Sequence, residues 1–596
     1  MLPADIPAAP ITHNTTIFLQ GPAGAGKTTL ARRRLRHLLR SGVPADSILV
    51  LVPQRTLGLP YELLDTGTTA MPTSDEDPVA AKDPLWAPVD VVTLGGLARR
   101  AIDLFWPLVS QVAGFAQPLD PPTFLTLETA QYYMSRQAES ARHYGEFESL
   151  RIAAPRLASQ VLDNLNKAAL VGFPVQEIAS RLKGAWAGPS SQAGIYDSAQ
   201  SVALAFREYC LEHNLLDFSL QIDLFRQHLL PLPEVRRFLF ERHLHVIADN
   251  VEEDTPVAHD LLREWLPQCQ SALVIMDQDA GYRIFLGADP EDALALAGSC
   301  RHQATMGLPA PWQDSAALGV QAFGARLAAA IGPGSASAQA SPAALPGKLE
   351  PRRWRLEERR FFPEMVDWAA DEISRLITVQ GVSPNEIVVL APFLTDALRF
   401  TLTTALDRYG IPVRSHRPSR SLSEEPATRC LLTLAAVGHP EWRVCPSLYD
   451  VAYALSQAID GLDLVRAQLL AQIVFRVHEN QPALSAFSEV RAETQERITY
   501  VLGSSYDRLH AWLTESRGKP WSLDVYLTLL FDQVLSRAGY GFHRDLDAAA
   551  VAARLIESVR KFRQAVPETA VPPDRTVGQE YLLNVQQGIL AATSLL

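Results

Sequence analysis

Residues Thr15–Gly42 read TTIFLQGPAGAGKTTLARRRLRHLLRSG, and this stretch limits the folds that the chain can adopt. An apolar run precedes a glycine-rich segment, and leucines at helical spacing follow it, which predicts a strand, a loop and a helix. The pattern G-x-x-x-x-G-K-[ST] is filled by Gly21, Gly26, Lys27 and Thr28. A strand before this pattern and a helix after it are typical of a P-loop, the phosphate-binding loop of an α/β nucleotide-binding domain.

Backbone N–H groups of a P-loop surround the phosphates of a nucleotide, and the positive end of the following helix adds to the attraction. Lys27 is expected to reach the β- and γ-phosphates, and the Thr28 hydroxyl to bind Mg²⁺. The sequence therefore predicts ATP and Mg²⁺ as cofactors. The expected nucleotide-binding residues are Gly21, Pro22, Ala23, Gly24, Ala25, Gly26, Lys27, Thr28 and Thr29. The alternative is a glycine turn that binds nothing, and the flanking strand and helix argue against it.

The stretch HVIADNVEEDTP, residues 245–256, ends an apolar run at a carboxylate. A P-loop requires a second Mg²⁺ ligand at the end of a neighbouring strand, and Asp249 is the candidate. In a nucleotide hydrolase of this design the next residue is usually a glutamate that activates water, but here it is Asn250. Because an amide cannot accept a proton as a carboxylate does, Glu252 and Glu253 are the candidate catalytic carboxylates. The alternative is an acidic loop that caps the next helix.

The whole chain has 596 residues, of which 47% are hydrophobic and 20% charged, and its net charge is −12. This length predicts several domains, and the composition is that of an ordinary globular protein. A protein coated in basic surface is excluded, but a local cationic groove is not. The sequence shows no apolar run long enough to cross a bilayer, and its N-terminus lacks a signal pattern, so no membrane partner is expected. The five cysteines lack metal-site spacing and suit a reducing cytoplasm, with most of them in the core.

The fold class predicted from the order of elements is α/β, because strands alternate with helices along much of the chain. Buried strands are expected within residues 47–54, 89–93, 243–250 and 271–278, and a further one at EIVVLAP, residues 386–392. The predicted organisation is a first α/β domain at 1–104 plus 241–330, a helical insertion at 105–240, a linker at 331–350, the start of a second α/β domain at 351–430, and a helical region at 431–596. The arginines of the first helix (Arg32, Arg33, Arg34 and Arg36) are expected to be solvated.

Four further motifs, in a fixed order, carry a family resemblance. They are VVTLGGLARR (91–100), LLDFSLQIDLF (215–225), MDQDAGYRIFLGADPEDA (276–293) and LTTALDRYGIPVRSHRPSR (402–420). Together with the P-loop and the acidic stretch, they resemble the motifs of UvrD-like superfamily 1 DNA helicases over roughly residues 15–430. The resemblance implies a P-loop NTPase with two RecA-like parallel-sheet domains, large helical insertions, ATP bound between the two domains, and single-stranded DNA as a partner.

The resemblance also implies roles for individual residues. Asp249 matches the Mg²⁺ aspartate of the family. Thr93 lies in the segment that meets the DNA backbone, and Tyr282 matches an aromatic residue that stacks on bases. Arg55 lies in PQRTLG (53–58), which replaces the usual family segment, and it is expected to contact phosphates. A core tyrosine is the alternative for Tyr282. Arg301 corresponds to an arginine downstream of the third motif that contacts the nucleotide.

The chain departs from the family pattern in several places. Asn250 replaces the glutamate, and Asp279 stands where the third motif has a glutamine. The last two motifs of the family are not found before Leu596, so the second RecA-like domain is expected to be truncated or incomplete. A transition-state arginine is worth about 10³–10⁵ in rate, so weak or lost hydrolysis is expected without it.

The expected function is that of an ATP-dependent DNA helicase or translocase that acts on single strands in DNA repair or recombination. The first alternative is a non-hydrolysing DNA-binding scaffold, similar to AddB-type subunits of helicase–nuclease complexes. A nuclease or recombination protein is then the expected partner subunit. A P-loop ATPase without a nucleic-acid role is the third reading. A cytoplasmic location is expected in each case.

Overall fold

The computed structural model describes residues 2–11, 14–62, 89–147, 150–189, 193–278, 280–307, 357–391, 395–413 and 424–590. The predicted linker at 331–350 and Asp279 lie outside the described residues. The chain divides into two compact units. The first comprises Met1–Pro122 and Gln160–Arg355, and the second comprises Thr123–Ser159 and Leu356–Leu596. The finer domain boundaries drawn from the sequence stay predictions.

Strands and helices both occur in the first half of the chain, where residues 94–241 are mainly helical, and helices predominate in the second half. The strands are β1 (Thr15–Pro22), β2 (Ile48–Leu51), β3 (Asp90–Val92), β4 (Thr123–Phe124), β5 (Leu215–Leu216), β6 (His245–Ala248), β7 (Ser271–Gln278), β8 (His302–Thr305), β9 (Phe475–His478) and β10 (Gln481–Leu484). The helices up to residue 300 are α1 (Lys27–Arg40), α2 (Arg55–Glu62), α3 (Leu94–Val109), α4 (Leu127–His143), α5 (Ala154–Val171), α6 (Ile178–Ala185), α7 (Gly194–Glu212), α8 (Phe218–Leu224), α9 (Pro233–Arg236), α10 (Pro256–Trp265) and α11 (Pro290–Ala295). The later helices are α12 (Phe362–Thr378), α13 (Asp396–Asp407), α14 (Pro426–Gly438), α15 (Leu448–Ala458), α16 (Leu464–Val474), α17 (Ala492–Ile498), α18 (Tyr500–Glu515), α19 (Leu523–Leu530), α20 (Leu546–Ala565) and α21 (Val577–Gln586).

A six-stranded sheet forms the centre of the first unit, with the strand order β3-β2-β6-β7-β1-β8. Every neighbouring pair in it is parallel. The predicted α/β class is thereby confirmed, as are the five strands expected in this unit. The sequence analysis did not predict β8, which is a short edge strand with mostly exposed residues. Because all six strands run in one direction, their carboxyl ends share one edge of the sheet, which is where ligands bind in such folds.

The central strands are buried along nearly their whole length, which is why they read as continuous apolar runs. One face of the sheet packs against α1. Its core residues include Ile17, Leu19, Ile48, Val50, Ile247, Leu273 and Ile275 from the sheet and Leu30, Ala31, Leu35 and Leu38 from the helix. These strand residues alternate along the chain, as the two-residue period of a strand requires. This packing holds α1 on one face of the sheet. The loop that precedes α1 therefore lies at the carboxyl edge.

Arg34 corrects the expectation that the arginines of α1 are solvated. Its side chain is buried, and its guanidinium donates to the carbonyls of Pro7 (3.3 Å), Ala9 and Pro10 (3.1 Å). Burial lowers the pKa of Arg34 to about 10. These bonds hold the N-terminal segment against α1, where Ile6 is fully buried.

The second unit is mainly helical, as the sequence predicts for residues 431–596. It also contains the antiparallel hairpin β9–β10, which the sequence analysis missed. The turn residues Glu479 and Asn480 both have positive φ, 50° and 61°. This is the signature of a two-residue type I′ turn.

The strand predicted at residues 386–392 is not formed by its described part. Val388, Val389 and Leu390 have no regular secondary structure and are 75%, 51% and 89% exposed. Ile387 is the residue of this stretch that packs against the small core formed by α12 and α13. The described residues between 357 and 413 therefore show two α-helices, one short 3₁₀ helix and no strand, and a second RecA-like sheet stays a prediction.

All five cysteines lie in the described chain, and their surroundings differ. Cys210, Cys269, Cys300 and Cys430 are buried, whereas Cys445 is exposed. Burial raises the pKa of Cys269 and of Cys300 to about 12. The expectation that most cysteines lie in the core is confirmed. Across the described helices, none combines the length and the apolar character needed to cross a membrane.

Candidate nucleotide-binding site

The loop between β1 and α1 has the backbone that its glycines permit. Gly24 and Gly26 have φ of 78° and 89°, a left-handed conformation that side chains with a Cβ rarely adopt. Gly26 immediately precedes the helix and is its N-cap. Gly21 is constrained differently, because a Cβ at this position would collide with the carbonyl oxygen of Met306. The glycine pattern is therefore required by the backbone itself.

Lys27 is the first residue of α1, and only 4% of it is exposed. Its ammonium donates to the carbonyls of Gly21 (2.8 Å) and Pro22 (2.7 Å). The same Nζ lies 2.5 Å from Oδ1 of Asp277, at the end of β7. An ammonium has three N–H donors, so each has an acceptor in this structure. Asp277 thus serves as the counter-charge of the loop lysine, a role that the sequence analysis did not assign.

Thr28 and Asp249 are brought together although they are 221 residues apart. The Thr28 hydroxyl donates to Oδ2 of Asp249 at 2.9 Å. Asp249 directly follows β6 and is 1% exposed. A hydroxyl that donates its proton keeps lone pairs with which it can bind a cation.

A second hydroxyl reaches the same carboxylate. Tyr61, near the end of α2, donates to Oδ2 of Asp249 at 2.6 Å. On the other oxygen, Oδ1 accepts the backbone N–H of Asn250 at 3.0 Å. Burial raises the pKa of Asp249, and these hydrogen bonds oppose the rise. Burial and the charge of Asp249 also raise the pKa of Tyr61, so its phenol remains protonated and can donate.

Asn250 occupies the position at which a glutamate was expected, and its φ of 60° is left-handed. Asparagine tolerates this conformation better than most residues with a side chain. Its amide Nδ2 donates to Oε1 of Glu252 at 3.3 Å. The other oxygen of Glu252 accepts the backbone N–H of Asp277 at 3.0 Å. Glu252 is 1% exposed, and burial raises its pKa to about 7.

Glu253 has a different set of partners from its neighbour. Its carboxylate accepts the backbone N–H groups of Gly281 (3.2 Å), Tyr282 (3.0 Å) and Arg283 (3.2 Å). These bonds shape the turn that follows β7. These bonds give Glu253 a structural role in the turn, and its expected role as a catalytic carboxylate stays a prediction. Of the two glutamates, Glu252 is the one that lies beside Asn250 and Asp277.

The three residues expected to contact DNA follow the carboxyl ends of three strands of the sheet. Arg55 is exposed at the start of α2, soon after β2. Thr93 follows β3 and caps α3 by accepting the Gly96 N–H at 3.2 Å. Tyr282 lies beyond β7 and is 79% exposed, so the alternative of a core tyrosine is wrong. All three are on the edge of the sheet that carries the phosphate loop.

Arg301 is not brought to this edge. Its backbone N–H donates to Oγ1 of Thr16 at 2.9 Å, beside the amino end of β1. The phosphate loop follows the carboxyl end of β1, six residues later, which is roughly 20 Å away at the rise of a strand. An arginine side chain cannot span that distance. The structure therefore places Arg301 away from the phosphate loop and gives no support to the expected contact with the nucleotide.

Comparison with known proteins adds no assignment for this site. The chain matches none of the protein-family models. No curated protein matches it either.

Proposed function

We propose that the first unit binds Mg-ATP at the carboxyl edge of its sheet. The observation that carries this proposal is the 2.9 Å hydrogen bond between Thr28 and Asp249. It joins the threonine that follows the loop lysine to a carboxylate at the end of another strand. This is the pair of residues that holds Mg²⁺ in P-loop NTPases.

The described residues fit the group that they are proposed to hold. The left-handed glycines at 24 and 26 allow the backbone N–H groups of the loop to approach a phosphate closely. Lys27 supplies positive charge, and it would exchange Asp277 for phosphate oxygens when ATP binds. Thr28 and Asp249 would hold the Mg²⁺, which neutralises phosphate charge when it is bound.

For hydrolysis, Glu252 is the residue of this chain best suited to accept a proton, at Oε1 or Oε2. Its pKa of about 7 is close to the optimum for a general base at neutral pH. Asn250 and the N–H of Asp277 hold its carboxylate in place. We propose slow hydrolysis, because the carboxylate is almost completely buried and must be reached by water.

The wider function proposed is that of an ATP-dependent translocase or helicase on single-stranded DNA, in repair or recombination. Its support is the position of Arg55, Thr93 and Tyr282 on the same edge as the phosphate loop. Phosphate contacts by a cation and stacking by an exposed aromatic ring are the usual means of holding a single strand. A strand on this edge would lie beside the proposed nucleotide.

A second candidate function is a DNA-binding scaffold that binds ATP without hydrolysing it, with a nuclease or recombination protein as partner. The observation that favours it is Asn250. Its left-handed φ and the hydrogen bond from its amide to Glu252 give it a structural role in the turn. A residue with such a role need not take part in hydrolysis. Single-turnover hydrolysis separates the two functions.

The experiment that tests nucleotide binding is calorimetry with Mg-ATP on wild type, Lys27→Ala and Lys183→Ala. Lys183 is the matched control, because it is also paired with an aspartate but lies exposed on α6. Hydrogen bonds from a charged group contribute about 1.5–3 kcal/mol, so Lys27→Ala should weaken binding by roughly 10- to 100-fold. Lys183→Ala should bind as wild type does. Equal affinities for wild type and Lys27→Ala would refute the proposed site.

A further inference from the structure

Oxygen Oδ2 of Asp249 accepts two hydroxyl donors, Thr28 at 2.9 Å and Tyr61 at 2.6 Å. A carboxylate offers about four lone-pair positions, two on each oxygen. The two hydroxyls fill those of Oδ2, and the Asn250 N–H takes one of those on Oδ1. Among the described residues, nothing occupies the remaining acceptor position, which is on Oδ1.

The orientation of an aspartate carboxylate is not fixed by its own torsion, because the terminal torsion of this side chain is broad. Hydrogen bonds must select the orientation. Thr28 supplies one of these hydrogen bonds and is itself proposed to bind the cation. Tyr61 is a donor that stands outside the phosphate loop and is not needed by the nucleotide.

The position of Tyr61 is itself fixed by packing. The side chain is 3% exposed and belongs to the core beneath α2. Within the same helix, a Cβ on Gly58 would lie 2.7 Å from a methyl group of Val91, so the helix backbone is pressed against the sheet. Neither the helix nor the ring can move away from Asp249 without disturbing this packing.

We infer that Tyr61 is a positioning residue for the metal. It holds Asp249 so that Oδ1 keeps the open acceptor position, through which the carboxylate engages Mg²⁺ or a water bound to it. The Thr28 hydroxyl can then donate to Oδ2 and still offer a lone pair to the cation. This inference rests on the proposed Mg-ATP site and adds a residue from α2 to it.

The test is the Mg²⁺ dependence of nucleotide binding in Tyr61→Phe, which removes the hydroxyl and keeps the ring. Loss of a hydrogen bond that orients a metal ligand typically weakens metal affinity 10- to 100-fold. We therefore expect the half-saturating Mg²⁺ concentration, measured with a fluorescent ATP analogue, to rise by about 10-fold or more. The affinity for the same analogue in EDTA should stay within about twofold, because no phosphate contact is lost.

Tyr132→Phe is the matched control, since Tyr132 is a buried tyrosine of the second unit whose hydroxyl lies 3.3 Å from Oε1 of Glu580. It should leave the Mg²⁺ dependence unchanged. Tyr61→Met fills similar space without a donor and serves as a second variant if the phenylalanine protein does not fold. An unchanged Mg²⁺ dependence in a folded Tyr61 variant, with wild type binding Mg-nucleotide, would refute the role of Tyr61 alone. A wild type that binds no Mg-nucleotide would overturn both this inference and the proposed site.

Discussion

Glu252 and Glu253 are adjacent in the sequence, yet their carboxylates face different partners. Glu252 lies between the Asn250 amide and the N–H of Asp277, whereas Glu253 binds three backbone N–H groups of the turn after β7. Both lie in the 3₁₀ helix Val251–Glu253, and successive side chains of such a helix point in directions about 120° apart. Asn250, which precedes this helix, has a left-handed φ of 60°. This φ complicates the substitution that would restore the usual glutamate. Asn250→Glu would place a less tolerant residue there, at a cost of about 1–2 kcal/mol.

These different contacts predict different effects of Glu252→Gln and Glu253→Gln on single-turnover hydrolysis of ATP. Glu252→Gln should slow it by about 10²–10⁴-fold, the usual contribution of a general base. Glu253→Gln keeps a side-chain carbonyl for the turn and should slow it much less. Equal losses in the two variants, or turnover that survives Glu252→Gln, would show that Glu252 is not the base.

The pH dependence of hydrolysis follows from the raised pKa of Glu252, about 7 against an ordinary 4.5. The base acts when deprotonated, so the rate should increase as pH passes through about 7, and Glu252→Gln should abolish this increase. The contribution of Glu252 to folding stability changes with pH in the opposite direction to the rate. Burial disfavours the charged form, so the contribution is fully present below about pH 4.5 and is lost as pH rises through about 7.

The residues of the candidate site were only partly predictable. Lys27, Thr28 and Asp249 were recognisable as candidates, because their positions are tied to a glycine pattern and to the end of an apolar strand. Asp277 and Tyr61 were not, since their contacts depend on strand order. Strand β7 lies between β1 and β6, which brings Asp277 to Lys27 although no sequence spacing indicates it.

Among the elements, long apolar strands were predictable and short ones were not. Strand β8 has the sequence HQAT and lies at the edge of the sheet. Only one of its four residues is buried, so it shows no apolar run. The hairpin β9–β10 was not predicted, because its two strands have four residues each and lie within a mainly helical part of the sequence. The opposite error occurred at residues 386–392, where an apolar run suggested a buried strand. A strand needs neighbours to bond with, and among the described residues none pairs with this stretch.

The N-terminal segment depends on one helix residue, which predicts a large effect of Arg34→Ala. The change would leave the carbonyls of Pro7, Ala9 and Pro10 without their buried donor. An unsatisfied buried polar group costs about 1–3 kcal/mol, so the free energy of unfolding should fall by at least about 2 kcal/mol in denaturant titration. Arg33→Ala is the control, because Arg33 is exposed on the same helix. Equal stabilities of the two variants would contradict the structural role of Arg34.

At the scale of the whole molecule, the net charge of −12 makes DNA binding depend on a local surface. Affinity for single strands should fall with salt, with a slope of about −0.7 for each phosphate contact. Arg55→Ala should make this slope less negative by about 0.7, the contribution of one phosphate contact. Tyr282→Ala should instead weaken binding by about 1–3 kcal/mol without changing the slope.

The control for Tyr282→Ala is Tyr144→Ala, a tyrosine of the second unit that is 81% exposed. It should bind DNA as wild type does. An affinity for single-stranded DNA that does not change with salt concentration, or the absence of binding at low salt, would contradict the DNA proposal. In that case the reading as a P-loop ATPase without a nucleic-acid role would be favoured.

The distribution of the cysteines has a practical consequence for studying this chain. Four thiols are buried, and Cys445 alone is exposed, on the second unit. A maleimide dye can therefore be attached at one known position of the folded wild-type protein, with no cysteine replaced. A second dye on a nucleotide or on a DNA strand would then report by energy transfer whether the second unit changes its distance from that ligand during binding.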